Sequence, residues 1–174
     1  MKNATRQFAV LSQGVIAGAA GGLAEVAWVT FYAGVTGGDP AVLARGVTSA
    51  AGVSALLPTS PATLGAGIHM SLAVALGVAL SFAWSALREC RSSLTNPYPL
   101  MLAVLAAVWA VNFFIVLPVV SPAFVHMVPY AVSLTSKLLF GAAAAEVLRR
   151  QPRTMSSLAP VAVRKRSDRR DLKR

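Results

Sequence analysis

Glu25, His69, Asn112 and His126 each interrupt a different hydrophobic run of the chain. Side chains of these types are costly in hydrocarbon and are retained there to bind, to relay protons or to pair. Counted from the run ends, Glu25, His69 and Asn112 fall about 10 Å below one bilayer surface, and His126 lies shallower. Lys137 falls deeper, near mid-membrane. His126, Tyr130, Ser133 and Lys137 recur at i, i+4, i+7 and i+11, the pattern of a polar stripe along one helix.

Three chemistries fit these residues. In the first, His69 and His126, with Glu25, hold a transition metal or act as axial ligands to a b-type haem, because imidazole and carboxylate suit zinc, copper or iron. The adjacent Met70 and Met127 point about 100° away from their histidines on a helix, so neither His-Met pair makes a joint site. In the second, Glu25, the histidines, Tyr130 and Lys137 form a binding or relay route for protons or a small solute. In the third, Glu25 and Lys137 form one intramembrane ion pair, and the histidines hydrogen-bond to backbone or to Asn112. The chain is then a structural, accessory or assembly subunit, and this reading needs the fewest assumptions.

Catalysis has no motif to rest on. The chain contains no GxSxG, HExxH, P-loop or dinucleotide fingerprint. Its single cysteine, Cys90, cannot form an intrachain disulfide and belongs to no CxxC motif.

The elements that must position these residues follow from composition. Of 174 residues, 56% are hydrophobic and only 13% charged, about half the charge of an ordinary soluble domain. Mean hydropathy is +0.64. Four runs are long enough to cross a bilayer: 8–32, 62–87, 98–120 and 124–148. The fold expected is all-α, an integral membrane four-helix bundle over residues 1–150. The first run continues to Tyr32, past the length of a signal-peptide core, and reads as an uncleaved span.

Basic residues set the expected orientation. Lys2 and Arg6 precede the first run, Arg88 and Arg91 join the second and third, and Arg149 onward is densely basic; the opposite side has only Arg45. The positive-inside rule places both termini in the cytoplasm. Residues 151–174 read as a disordered basic cytoplasmic tail. That tail and Arg149/Arg150 carry most of the net charge of +10, suited to anionic lipid headgroups. No aromatic interleaving points to nucleic acid.

Between the first two runs, Asp39-Pro40 is a helix-start signature. Residues 40–57 then read as an extra amphipathic or re-entrant helix, a periplasmic lid that Asp39 and Arg45 would gate. Gly14, Gly18 and Gly22 form a doubled GxxxG ladder in line with Glu25. Such a ladder permits close helix approach, either within the bundle or to a second copy or larger complex.

The run from Gly21 to Trp28 (GGLAEVAW), the Gly67-Ile68-His69-Met70 stretch, and Asn112-Phe113-Phe114 through His126 resemble a group of small four-span proteobacterial inner-membrane proteins with no assigned activity. The resemblance covers the spans and not the tail. It implies an inner-membrane location and adds nothing on mechanism.

Overall fold

A computed structural model describes residues 2–53, 55–56, 59–91 and 94–150. Among these the chain is helical, with no strand. Four helices are long and apolar enough to cross a membrane. They are α1 (Lys2–Thr36), α3 (Pro61–Cys90), the broken helix from Tyr98 to Val120, and α7 (Tyr130–Arg149). Their outward faces carry bulky apolar side chains, among them Phe8, Leu72, Ile115 and Val119. Helices apolar all round suit lipid as their solvent.

α1 is the central element. It packs on α3 along one side and on α7 along another, while the third spanning helix packs on α7. The glycine ladder makes the α1–α3 approach possible. A Cβ on Gly14 would stand 2.5 Å from the Val78 Cα, and one on Gly18 would stand 2.6 Å from the Val74 Cα. Gly77 of α3 returns the fit against the backbone of Gly14 and Gly18. The ladder is therefore consumed inside this chain. At the end of the bundle that carries the N-terminus, Trp84, Met101, Leu105, Phe140 and Leu148 form a dry core from three helices.

α2 (Pro40–Ala50) begins as the sequence predicts. Asp39 Oδ1 accepts a hydrogen bond from the Ala41 N–H at 2.9 Å, with Pro40 in the first turn. It ends earlier than position 57, because Gly52 at φ +69° turns the chain. Gly52 N–H bonds to the Ser49 carbonyl and Val53 N–H to that of Thr48, a Schellman closure. Leu57 lies outside the described residues. α2 lies on α3, where Gly65 faces Ala44 and Thr48, and it meets Phe124 and Met127 at Gly46. It thus bridges α3 and the turn before α7.

Two helix breaks depart from the sequence reading. The third span is α4 (Tyr98–Val111), a π-helical turn (Asn112–Val116) and α5 (Leu117–Val120). Pro118 has no N–H, and its ring crowds the carbonyl four residues earlier, so the wider turn relieves the clash just before it. The fourth span begins at Tyr130 and not at Phe124. α6 (Pro122–Val125) is a separate single turn, and Pro129 is extended at ψ 140°. Proline at 129 biases Val128 away from helical geometry and interrupts the run there.

Candidate functional site

Glu25 is the centre of the only polar cluster that joins three spanning helices among the described residues. Its side chain is 4% exposed. Oε1 lies 2.5 Å from Lys137 Nζ of α7 and accepts a hydrogen bond from Ser136 Oγ at 3.3 Å. Oε2 faces His69 Nε2 of α3 at 3.5 Å. That contact is not a hydrogen bond, and both atoms are buried without a partner among the described residues. His69 also contacts the Gly22 backbone. Its side chain is 27% exposed and that of Lys137 is 23% exposed, so the cluster is closed around the carboxylate and part-open at the imidazole and ammonium ends.

Local sequence explains the convergence. Glu25 continues the face set by Gly18 and Gly22, which places it where α1, α3 and α7 meet. Gly22 lies against Ala73 and Met70 of α3, one turn from His69. Gly21 receives the Phe140 ring of α7, one turn from Lys137. Small residues on α1 thus let both neighbours approach beside the carboxylate. A lysine ammonium and a glutamate carboxylate within contact distance neutralise each other, which lowers the cost of burying either.

The break before α7 puts Lys137 at a different depth from that expected. It lies seven residues into α7, roughly 10 Å from the helix start. His69, eight residues into α3, lies about 12 Å from its start. The two are level with each other, which is why both reach Glu25. Lys137 is not the deep residue that a continuous span from 124 implies.

The other expected site residues lie elsewhere. His126 is exposed in the turn between α6 and α7, outside the spans, and takes no part in the Glu25 cluster. Among the described residues no hydrogen bond or ion pair joins His126 to His69 or to Glu25, the residues expected to share a metal or haem with it. No group of three or more His, Cys, Asp or Glu side chains among the described residues is placed to hold a metal ion. Asn112 opens the π-helical turn and is half-buried, without a hydrogen bond to Glu25 or either histidine among the described residues.

Tyr130 joins an aromatic group with Trp109, Phe113 and Phe114, at centroid distances of 5.8 to 6.3 Å. Beneath it, Trp109 Nε1 donates to Ser133 Oγ at 3.0 Å. The stripe from His126 to Lys137 is thus divided by the helix break. Asp39 and Arg45 pair with each other at 2.8 Å on the exposed side of α2. The Arg45 guanidinium, then the Ala41 N–H, holds the Asp39 carboxyl below its ordinary 3.8.

Ser136 is the member of the cluster that sequence reasoning passed over. It precedes Lys137 and sits four residues before Phe140, so the face defined by Gly21 and Phe140 carries it inward. A second missed feature is the Trp28 Nε1 bond to the Val132 carbonyl at 3.0 Å, which ties α1 to α7 one turn above Glu25. At the opposite end, Glu146 binds Arg149 and Arg150, as its spacing suggests, and also accepts from the Tyr98 hydroxyl at 2.6 Å.

No family model, curated protein or solved structure matches the chain.

Proposed function

We propose that this is a multi-pass bacterial inner-membrane protein that handles protons or a small polar solute at Glu25, His69 and Lys137. Both termini are cytoplasmic in this reading, with α2 as a periplasmic cover over the cluster. The observation that carries it is the buried Glu25 carboxylate, held from two other helices, with one oxygen and the facing imidazole nitrogen left without a hydrogen bond. A bridge kept only for stability gains little from such a design. Apolar residues of similar volume usually hold helices as well as a buried ion pair does, and a half-satisfied polar group is costly in low dielectric. The helices are already joined by the α1–α3 glycine fit and by Phe140 against Gly21.

Reconstituted vesicles with an internal pH-sensitive dye and an imposed pH gradient test this reading. Wild-type protein is expected to dissipate the gradient faster than protein-free vesicles, and Glu25→Gln and His69→Gln are expected to slow it to the protein-free rate. Wild-type leak no faster than that of empty vesicles, with no protection of the site by any small polar solute, defeats the proposal.

A second reading, a structural or accessory subunit, is favoured by the 2.5 Å Glu25–Lys137 pair. Its natural docking element, the Gly14–Gly18–Gly22 ladder, is occupied by α3 of the same chain, which leaves the accessory role without its most direct surface. A Glu25→Gln/Lys137→Met variant that keeps every cellular function of the wild type would support this second reading.

A further inference from the structure

We infer that the occupant of this site is a single proton, carried on His69 Nε2 and shared with Glu25 Oε2. The inference rests on the proposed function and narrows its ligand.

Glu25 Oε1 already has the Lys137 ammonium and the Ser136 hydroxyl. Oε2 accepts no hydrogen bond among the described residues, and it faces His69 Nε2 at 3.5 Å. A charge-assisted N–H···O bond is about 2.7 to 2.9 Å long, so one proton on Nε2 and a sub-ångström approach convert this contact into a bond. Among the described residues no other element brings a charge to the cluster. Among the described residues, α1 contributes Glu25, α3 contributes His69, and α7 contributes Lys137 with the uncharged Ser136. On α2, Asp39 and Arg45 neutralise each other away from the cluster, and the third span carries no ionisable residue from Pro99 to Val120.

The charge balance favours a proton over a metal cation. Glu25 and Lys137 sum to zero, so a proton on His69 raises the cluster to one net positive charge, with the carboxylate between two cations. A divalent metal would have to share the carboxylate with an ammonium 2.5 Å away, and with fewer than three protein ligands beside it. The imidazole ring is part-exposed, while its Nε2 and the carboxylate are buried together. Histidine is the side chain whose ordinary titration, near 6.5, falls within the physiological range.

The test uses full-length protein with ¹⁵N-labelled imidazoles in nanodiscs, followed by NMR across pH, with infrared difference spectra of the carboxylate. His126→Gln assigns the two histidine signals. His69 is expected to titrate, and the Glu25 carboxylate band is expected to shift with the same midpoint. Glu25→Gln is expected to weaken proton binding at His69 by about tenfold or more, one pH unit, and to leave His126 unmoved. If Glu25→Gln does not fold, His69→Gln reports instead, and the pH-dependent carboxylate shift should vanish from it. A His69 midpoint unchanged in Glu25→Gln, or a carboxylate shift that survives in His69→Gln, overturns the inference. Coupled titration without vesicle flux keeps the proton site and removes the transport reading. Flux without coupled titration does the reverse, and assigns the site another occupant.

Discussion

Lys137 Nζ and Glu25 Oε1 lie 2.5 Å apart although the residues belong to different helices, and the carboxylate end of the pair is almost wholly buried. In hydrocarbon the two charges depend on each other. Lys137→Met should leave an uncompensated carboxylate and destabilise the fold by about 3–5 kcal/mol. Glu25→Gln/Lys137→Met should recover most of that loss. Thermal unfolding in detergent measures both, and equal losses from the single and double variants would deny the pair its mutual role.

The α1–α3 contact depends on absent side chains. Gly18→Leu would drive a Cβ into the Val74 backbone and should cost at least the roughly 1–3 kcal/mol of an overpacked core. Gly67 meets nothing within 4 Å, so Gly67→Ala should be neutral or slightly stabilising. A disulfide-crosslinking pair placed across α1 and α3 should form readily in the wild-type background and poorly with Gly18→Leu. Equal crosslinking in both would show that the helices do not meet there.

The orientation is open to a direct assay. Cys90 is exposed at the end of α3 opposite α2. In intact cells it should resist a membrane-impermeant maleimide and react only after permeabilisation. In a Cys90→Ser background, Ser49→Cys on exposed α2 should show the opposite pattern. Labelling of Cys90 in intact cells would invert the assigned topology.

α2 should respond to acid through Asp39. Its carboxyl is held below 3.8 by the Arg45 side chain and the Ala41 N–H. A depressed folded value means a stabilising contribution that is present above the unfolded value and lost as pH falls through the folded one. Amide exchange across residues 40–50 should therefore be steady at neutral pH and rise below about pH 4. Asp39→Asn should exchange faster at neutral pH and lose that acid step. An acid step that persists in Asp39→Asn would assign it to another group.

His126 and His69 should behave as unlike residues. His126→Ala, in an exposed turn, should change stability by no more than about 0.5 kcal/mol and leave vesicle proton flux intact. His69→Ala removes the group that faces Glu25 Oε2 and should abolish the flux. Loss of flux in both variants would return the two histidines to a common site.

Much of this molecule was legible without coordinates. Four apolar runs near bilayer length require helices, because lipid leaves every backbone N–H and carbonyl to be satisfied within the segment. Asp39-Pro40 marked a helix start because a side-chain acceptor and a residue without an N–H both suit the first turn. The Glu25–Lys137 pair could be anticipated, since two opposite charges in hydrocarbon must find one another. Three decisions belonged to the tertiary structure. Pro118 and Pro129 stand in runs that look continuous by hydropathy, and only packing decided that one is absorbed as a π turn while the other ends the helix. That break moved His126 out of the span and raised Lys137 to the level of His69. The glycine ladder could serve a partner or the chain itself, and it closed on α3 because Gly77 offers a matching gap. Ser136 and His69 became neighbours of one carboxylate by helix rotation, which the 3.6-residue period constrains on each helix but cannot fix between helices.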